Sequence, residues 1–147
     1  SMELLQGLVG NLGYTYSDFT FDTFRDRNNN KLDGNTIPGI PDHEFNIRLN
    51  YRNQAGFYAS WDLLHADSFY ADNSNTVKSG SYTTASLRSG FNLLVDRWEI
   101  SPFIGINNLF DEDYFDNIRL NASFGRYFEP APGRNYYGGI GVRYNFE

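Results

Sequence analysis

The chain contains no cysteine, one methionine and five prolines among its 147 residues. Without thiols there can be neither disulfides nor thiolate metal sites, and the redox compartment stays open. No run of about 18 apolar residues occurs, which excludes a transmembrane helix. Basic residues are scarce as well: 12 Lys and Arg against 18 Asp and Glu leave a net charge of -6. With no basic patch to neutralise phosphates, nucleic acid is excluded as a partner. The opening Ser-Met-Glu-Leu-Leu-Gln-Gly lacks the basic stretch and apolar run of an export signal. Ser1 reads as a remnant of an expression tag, and any export signal is expected in a longer parent chain. Neither a Gly-Lys-Ser phosphate loop nor a Gly-x-Ser-x-Gly elbow is present. The sequence is therefore expected not to be an enzyme and to need no cofactor.

Aromatic rings, by contrast, are abundant: 13 Phe, 11 Tyr and 2 Trp make up 18% of the chain, yet the mean hydropathy is -0.54. Strands with one face toward lipid and the other toward water give this combination. So does an antiparallel sandwich with a Tyr-rich face. Composition alone does not separate them.

The periodicity is two almost throughout. In residues 44–52, Phe45, Ile47, Leu49 and Tyr51 alternate with Asn46, Arg48, Asn50 and Arg52. Side chains alternate across a strand, so one face is apolar and the other polar. The same pattern sets Phe57, Ala59, Trp61 and Leu63 against Tyr58, Ser60 and Asp62. It continues through residues 82–95, 98–107 and 136–146, and an earlier strand is expected over about 8–24, with Leu12, Tyr14 and Tyr16 on one side. The expectation is an all-β, antiparallel meander of about six strands. Several reach ten residues, the length a tilted membrane strand needs, where soluble strands average about five or six.

The links support the membrane reading. Residues 53–56 and 96–97 form short connections, whereas 25–42, 67–80 and 111–134 are long, and the two kinds alternate. A meander with tight turns at one rim and long loops at the other has this order. A Greek-key sandwich gives no reason for it. Loops beyond about 12–15 residues are also uncommon in compact soluble domains.

The terminal third carries Gly105-Ile106-Asn107-Asn108-Leu109-Phe110-Asp111 with Tyr114, and then Pro132-Gly133-Arg134-Asn135-Tyr136-Tyr137-Gly138-Gly139. Upstream, residues 34–43 hold two prolines just before a strand. Together these elements resemble the carboxy-terminal barrel of TonB-dependent outer-membrane receptors. The resemblance implies that residues 1–147 form about the last six strands of a barrel of about 22, with plug and earlier strands absent. It implies uptake of a large scarce nutrient, such as a ferric siderophore, haem or cobalamin, in the bacterial outer membrane. TonB would act only through the missing plug. Ile140, Val142, Tyr144 and Phe146 match the family's terminal assembly signal, read by the barrel assembly machinery, although Glu147 follows the Phe where the family usually stops. The alternative reading of that row is a plain amphipathic edge strand.

On the same resemblance, Arg119, Arg126, Tyr127, Phe128 and Arg134 of the third long loop are candidate contacts to an extracellular anionic chelate, by charge and stacking. Those arginines equally have acidic neighbours and lipopolysaccharide to pair with. Arg48, Arg52, Arg88 and Arg143 are expected to meet carboxylates of the wall or of a plug. The run from Asp26 to Gly34 starts with calcium-loop spacing but has Lys31 at the sixth position and Ile37 at the twelfth, so no metal is expected there. His43 and His65 fall on different strands and suit lumen or interface positions better than a metal site. Asp111, Glu112, Asp113 and Asp116 have no fixed separation for hydrolysis. The competing reading is a free-standing small β-protein, either a soluble binding module or a homo-oligomer whose protomers share one barrel and so cover their bare edges.

Overall fold

A computed structural model describes residues 2–146, apart from the side chains of residues 3 and 4; Glu147 lies outside the described residues. Ten strands occur in chain order: β1 (Met2–Leu5), β2 (Leu8–Tyr16), β3 (His43–Arg52), β4 (Phe57–Ala66), β5 (Tyr82–Phe91), β6 (Leu93–Val95), β7 (Trp98–Asn107), β8 (Phe115–Ile118), β9 (Phe128–Pro130) and β10 (Asn135–Tyr144). The main sheet has the order β1-β2-β3-β4-β5-β7-β10 with β6 also on β7, and β8 pairs with β9 in a separate ribbon. Every pair is antiparallel. The all-β meander expected from the alternation is what the chain forms.

Register carries each alternating row into its neighbour. Leu12 lies opposite Ile47, Ile47 opposite Leu63, and Leu63 opposite Ala85. One level away, Leu49, Trp61, Leu87, Ile106 and Tyr136 run across five strands. On the other face, Arg48 meets Asp62 and Asp62 meets Ser86. One face is thus apolar from edge to edge. Among the described residues, strands touch only their ladder neighbours, and no second sheet or helix covers that face. Ile104 is accordingly 71% exposed and Ile140 65%. A two-layer sandwich is excluded.

Rings concentrate toward the two ends of the apolar face, as in the aromatic girdles of membrane barrels. Near the long loops, Tyr14 stacks on Phe45 at 4.8 Å and Tyr16 lies 5.2 Å from His43. Near the short turns, Phe57 meets Phe91 at 5.1 Å and Trp98 meets Tyr144 at 4.8 Å.

Three short turns share one end of the sheet. The turn at residues 53–56 closes through Asn53, whose side-chain oxygen accepts the Phe57 N–H at 3.0 Å. Gly56 has φ +90° there, and an added Cβ would stand 2.3 Å from the Asn92 carbonyl oxygen. Residues 6–7 and 96–97 make the other two.

Three details differ from the sequence expectation. The strand expected over 8–24 stops at Tyr16. Phe21 and Phe24 stack at 4.5 Å inside the first long loop, with a bridge from Thr20 to Thr36, so aromatic residues run on beyond the ladder. The short β1, with no alternation to mark it, precedes β2. The single strand expected over 82–95 is split opposite Pro102, yet Gly90 with Phe103 and Leu93 with Ile100 keep one register. Proline has no N–H for the ladder, so β7 offers no donor there, while on the other side of the strand the Asn92 N–H extends the pairing with β4 by donating to the Gly56 carbonyl at 2.9 Å.

Candidate functional site

Two surfaces can carry function: the polar face of the sheet and the cluster of long loops at one end. On the polar face, Arg48 pairs with Asp62, and Arg143 Nη1 lies 3.1 Å from Glu99 Oε2. The Arg88 guanidinium sits 4.3 Å from the Phe103 ring centroid rather than on a carboxylate. Arg52 has no ion pair among the described residues. The expected arginine–carboxylate ladder is therefore half present. A depression of about 450 Å³ lies here, with Asn46, Arg48, Asp62, Arg88, Asn107 and Tyr137 in its wall. Such exposed pairs contribute on the order of 0–1 kcal/mol each, so they shape the face more than they stabilise it.

Rings on this face lie over glycines of the adjoining strand. A Cβ on Gly105 would be 2.2 Å from Tyr137 Cζ, one on Gly139 2.8 Å from Phe103 Cζ, and one on Gly90 2.6 Å from Tyr58 Oη. Each aromatic plane covers a stretch of backbone that has no side chain of its own.

The two quoted sequence motifs meet in space. Asn108, 5% exposed and at φ 50°, accepts the Glu112 N–H at 2.9 Å and donates to the carbonyls of Glu112 at 2.9 Å and Pro132 at 3.3 Å. Asp111 Oδ1 accepts the Arg134 N–H at 2.8 Å, and Asn107 donates to Asn135 at 3.0 Å. The Asn-Asn-Leu-Phe-Asp and Pro-Gly-Arg segments thus form one knot at the mouth of the third loop, starting β10 in register with β7.

The loops are also tied to one another. Thr36 N–H donates to Asn75 Oδ1 at 2.7 Å, Asn35 Nδ2 to the Asn73 carbonyl at 2.9 Å, and Asn73 N–H to Asn121 Oδ1 at 2.9 Å. Ala71 and Asp72, among the most buried residues described, sit in this clasp. The Asp72 carboxylate accepts from Thr76 N–H, Thr76 Oγ1 and Val77 N–H at 2.7–2.9 Å. Sequence reading missed this clasp. Its signal was the run of loop asparagines, several of which take left-handed φ, as Asn75 and Asn121 do.

The five candidate residues of the third loop are not brought into one pocket. Arg119 pairs with Glu129 across the β8–β9 ribbon. Asn117 and Arg119, donating to Glu129, hold its carboxyl below the usual range. Tyr127 is half-buried with its ring 6.0 Å from Phe128, which stacks on Phe115 at 4.5 Å. Arg126 and Arg134 are exposed. A cavity of about 220 Å³ at the loop base includes none of these five.

The other weighed residues have local roles. Asp26 accepts Asn28 N–H, Asn30 N–H and Asn30 Nδ2 at 2.8–2.9 Å, which caps a loop tip and lowers its pKa. His43 is hydrogen-bonded to Tyr14 at 2.9 Å and His65 to Thr83 at 2.7 Å, both on the apolar face. Among the described residues, no three His, Cys, Asp or Glu side chains converge as metal ligands would. No described helix is long and apolar enough to cross a membrane, which says nothing of a β-barrel.

A sequence model of the family described as "TonB dependent receptor-like, beta-barrel" matches residues 2–109. The fold is similar to that of the siderophore receptor PiuA from Acinetobacter baumannii, with TM-score 0.76 and 21% identity over 95% of this chain and 20% of that one. The ferric preacinetobactin receptor BauA from Acinetobacter baumannii gives TM-score 0.73 and 16% identity over 95% of this chain and 20% of that one. The ferric yersiniabactin uptake receptor FyuA from Yersinia pestis gives 0.67 and 22% over 98% of this chain and 22% of that one. The chain thus spans about a fifth of the length of these structures.

Proposed function

Because the chain belongs to the TonB-dependent receptor β-barrel family, we propose that it forms the carboxy-terminal wall of an outer-membrane transporter for ferric siderophores or comparable large chelates. The supporting observation is the single-layer sheet, apolar on one whole face and polar on the other. In water that apolar face would be a large uncovered patch, whereas in lipid it is solvated. The long loops would lie outside the cell and the short turns in the periplasm. The clasped loops form part of the chelate vestibule, with Arg126, Tyr127 and Arg134 at its rim; Arg119 is reached only if the chelate displaces Glu129. Ile140, Val142 and Phe146 form an exposed row on β10 and just beyond it, with Tyr144 half-exposed among them, available to the assembly machinery. Lipid and lipopolysaccharide would cover the apolar face. No catalytic role is assigned.

The experiment is expression of the full receptor chain followed by membrane fractionation and electrophoresis with and without boiling. The expected result is an outer-membrane band with heat-modifiable mobility, and iron-limited growth on a ferric siderophore that is lost when residues 115–130 are deleted. A water-soluble, detergent-independent monomer would refute the proposal.

A further inference from the structure

The cavity of about 220 Å³ at the loop base has a composition that an anionic chelate does not explain. Its wall is made by Phe69 of the second long loop, Tyr82 at the start of β5, and Phe115 and Asp116 of β8, with Leu120 and Gly39 closing it. This volume is below the roughly 300–1,000 Å³ of sites for drug-sized ligands, so it suits a small head group. The rings are backed by further rings: Tyr114 stacks on Tyr82 at 4.8 Å, and Phe128 on Phe115 at 4.5 Å. The stacking holds the Tyr82 and Phe115 rings in place, and each keeps one face not covered by its stacking partner.

Two carboxylates add negative charge nearby. Asp116 lines the cavity and has no ion-pair or hydrogen-bond partner among the described residues. Glu44 shares Tyr82's level on the same face, through Ala66 between them, and likewise lacks a cation. Nearby cations are engaged elsewhere: Arg119 holds Glu129, and Lys78 lies 5.2 Å from the Tyr70 ring. Burial, and then the charge of Asp116, push the Tyr114 phenol up, so that charge acts within the aromatic wall. An anion placed here would meet uncompensated like charge.

From these observations the geometry points to a binding site for a small alkylammonium group, held by cation–π contact with Phe69, Tyr82 and Phe115 and by the Asp116 carboxylate. The occupant is a free organic cation or the cationic head of a larger solute. The site does not depend on which chelate, if any, the chain helps to carry.

The test uses the full chain in detergent, titrated calorimetrically with choline and with its uncharged analogue 3,3-dimethylbutan-1-ol. Choline should bind saturably, and the analogue about tenfold more weakly or not at all. Asp116→Asn should weaken choline roughly five- to tenfold without affecting the analogue, and Phe115→Leu should weaken choline about threefold. Both positions are exposed, so the fold persists in each variant, as far-ultraviolet circular dichroism would verify. Equal affinity for the two probes, no saturable choline binding, or unchanged affinity in both variants would each overturn the assignment. Transport assays are not involved, so failure here leaves the uptake proposal standing.

Discussion

Asn108→Ala is the most informative substitution in the chain. The asparagine side chain accepts one hydrogen bond and donates two, joining Glu112 and Pro132. Each net hydrogen bond contributes about 0.5–1.5 kcal/mol, and the 3.3 Å bond to Pro132 falls at the weak end. Asn108 also holds φ 50°, a region that asparagine tolerates and alanine enters at about 1 kcal/mol. The sum is about 2.5–4.5 kcal/mol of local stability. At about 1.4 kcal/mol per tenfold, backbone exchange protection of Leu109, Glu112 and Arg134 should fall by roughly 60- to 1,600-fold. Hydrogen–deuterium exchange on the detergent-solubilised protein reads this directly. Asn108→Gly separates the two causes, since it removes the side-chain bonds but relieves the backbone term and should recover about 1 kcal/mol. Unchanged protection in Asn108→Ala, or equal loss in both variants, would refute this account of the knot.

Other expectations follow from the faces and the loops. Ile104→Lys places a charge on the apolar face and should cost about 2–4 kcal/mol if that face meets the bilayer midplane, lowering the heat-modifiable folded fraction in vesicles. Ser101→Lys, on the polar face opposite Gly141, should leave that fraction nearly intact, and equal effects would contradict the assignment of faces. Gly105→Ala should displace the Tyr137 ring, which stands 2.2 Å from the new methyl, and cost about 1–3 kcal/mol by overpacking. Adding Tyr137→Ala should return part of that loss in thermal unfolding; a purely additive double variant would refute the ring-over-glycine contact. Asp26, Asp33 and Glu129 have lowered pKa values, from hydrogen bonds led by Asn30, Phe24 and Asn117 respectively. A depressed carboxyl stabilises above its unfolded pKa and loses that contribution as pH falls through its folded pKa. The loops should therefore resist proteolysis unchanged from pH 7 down to the ordinary carboxylate range and loosen only below it. In Glu129→Gln the β8–β9 ribbon should show no such acid step.

Much of the fold was legible because period-two alternation is a local signal. Phe45, Ile47, Leu49 and Tyr51 declare their face without reference to any other strand, and the alternation of short and long links orders the meander. Residues 17–24 misled because Phe19 and Phe21 keep a spacing of two in a loop just as they would in a strand. β1 was invisible since Met-Glu-Leu-Leu has no period. At the loops, the two motifs were noticed separately, but that Asn108 reaches Pro132 and Asp111 reaches Arg134 depends on chain folding between them. The asparagine clasp joins residues 38–48 positions apart, through left-handed conformations that composition suggests but does not place. The grouping of Arg119 with Arg126, Tyr127 and Arg134 came from proximity in sequence. The cross-ribbon pairing of Arg119 with Glu129 divides it.

The two-residue turn at Asp96 and Arg97 leaves no slack at its end of the sheet. One residue inserted there would bring either Trp98 or Val95 round to the polar side and carry every neighbour in its strand with it. Insertions near Asn29, at the tip of the first long loop, would change no side chain's facing. Related chains should therefore drift in length at one rim while the opposite rim keeps count.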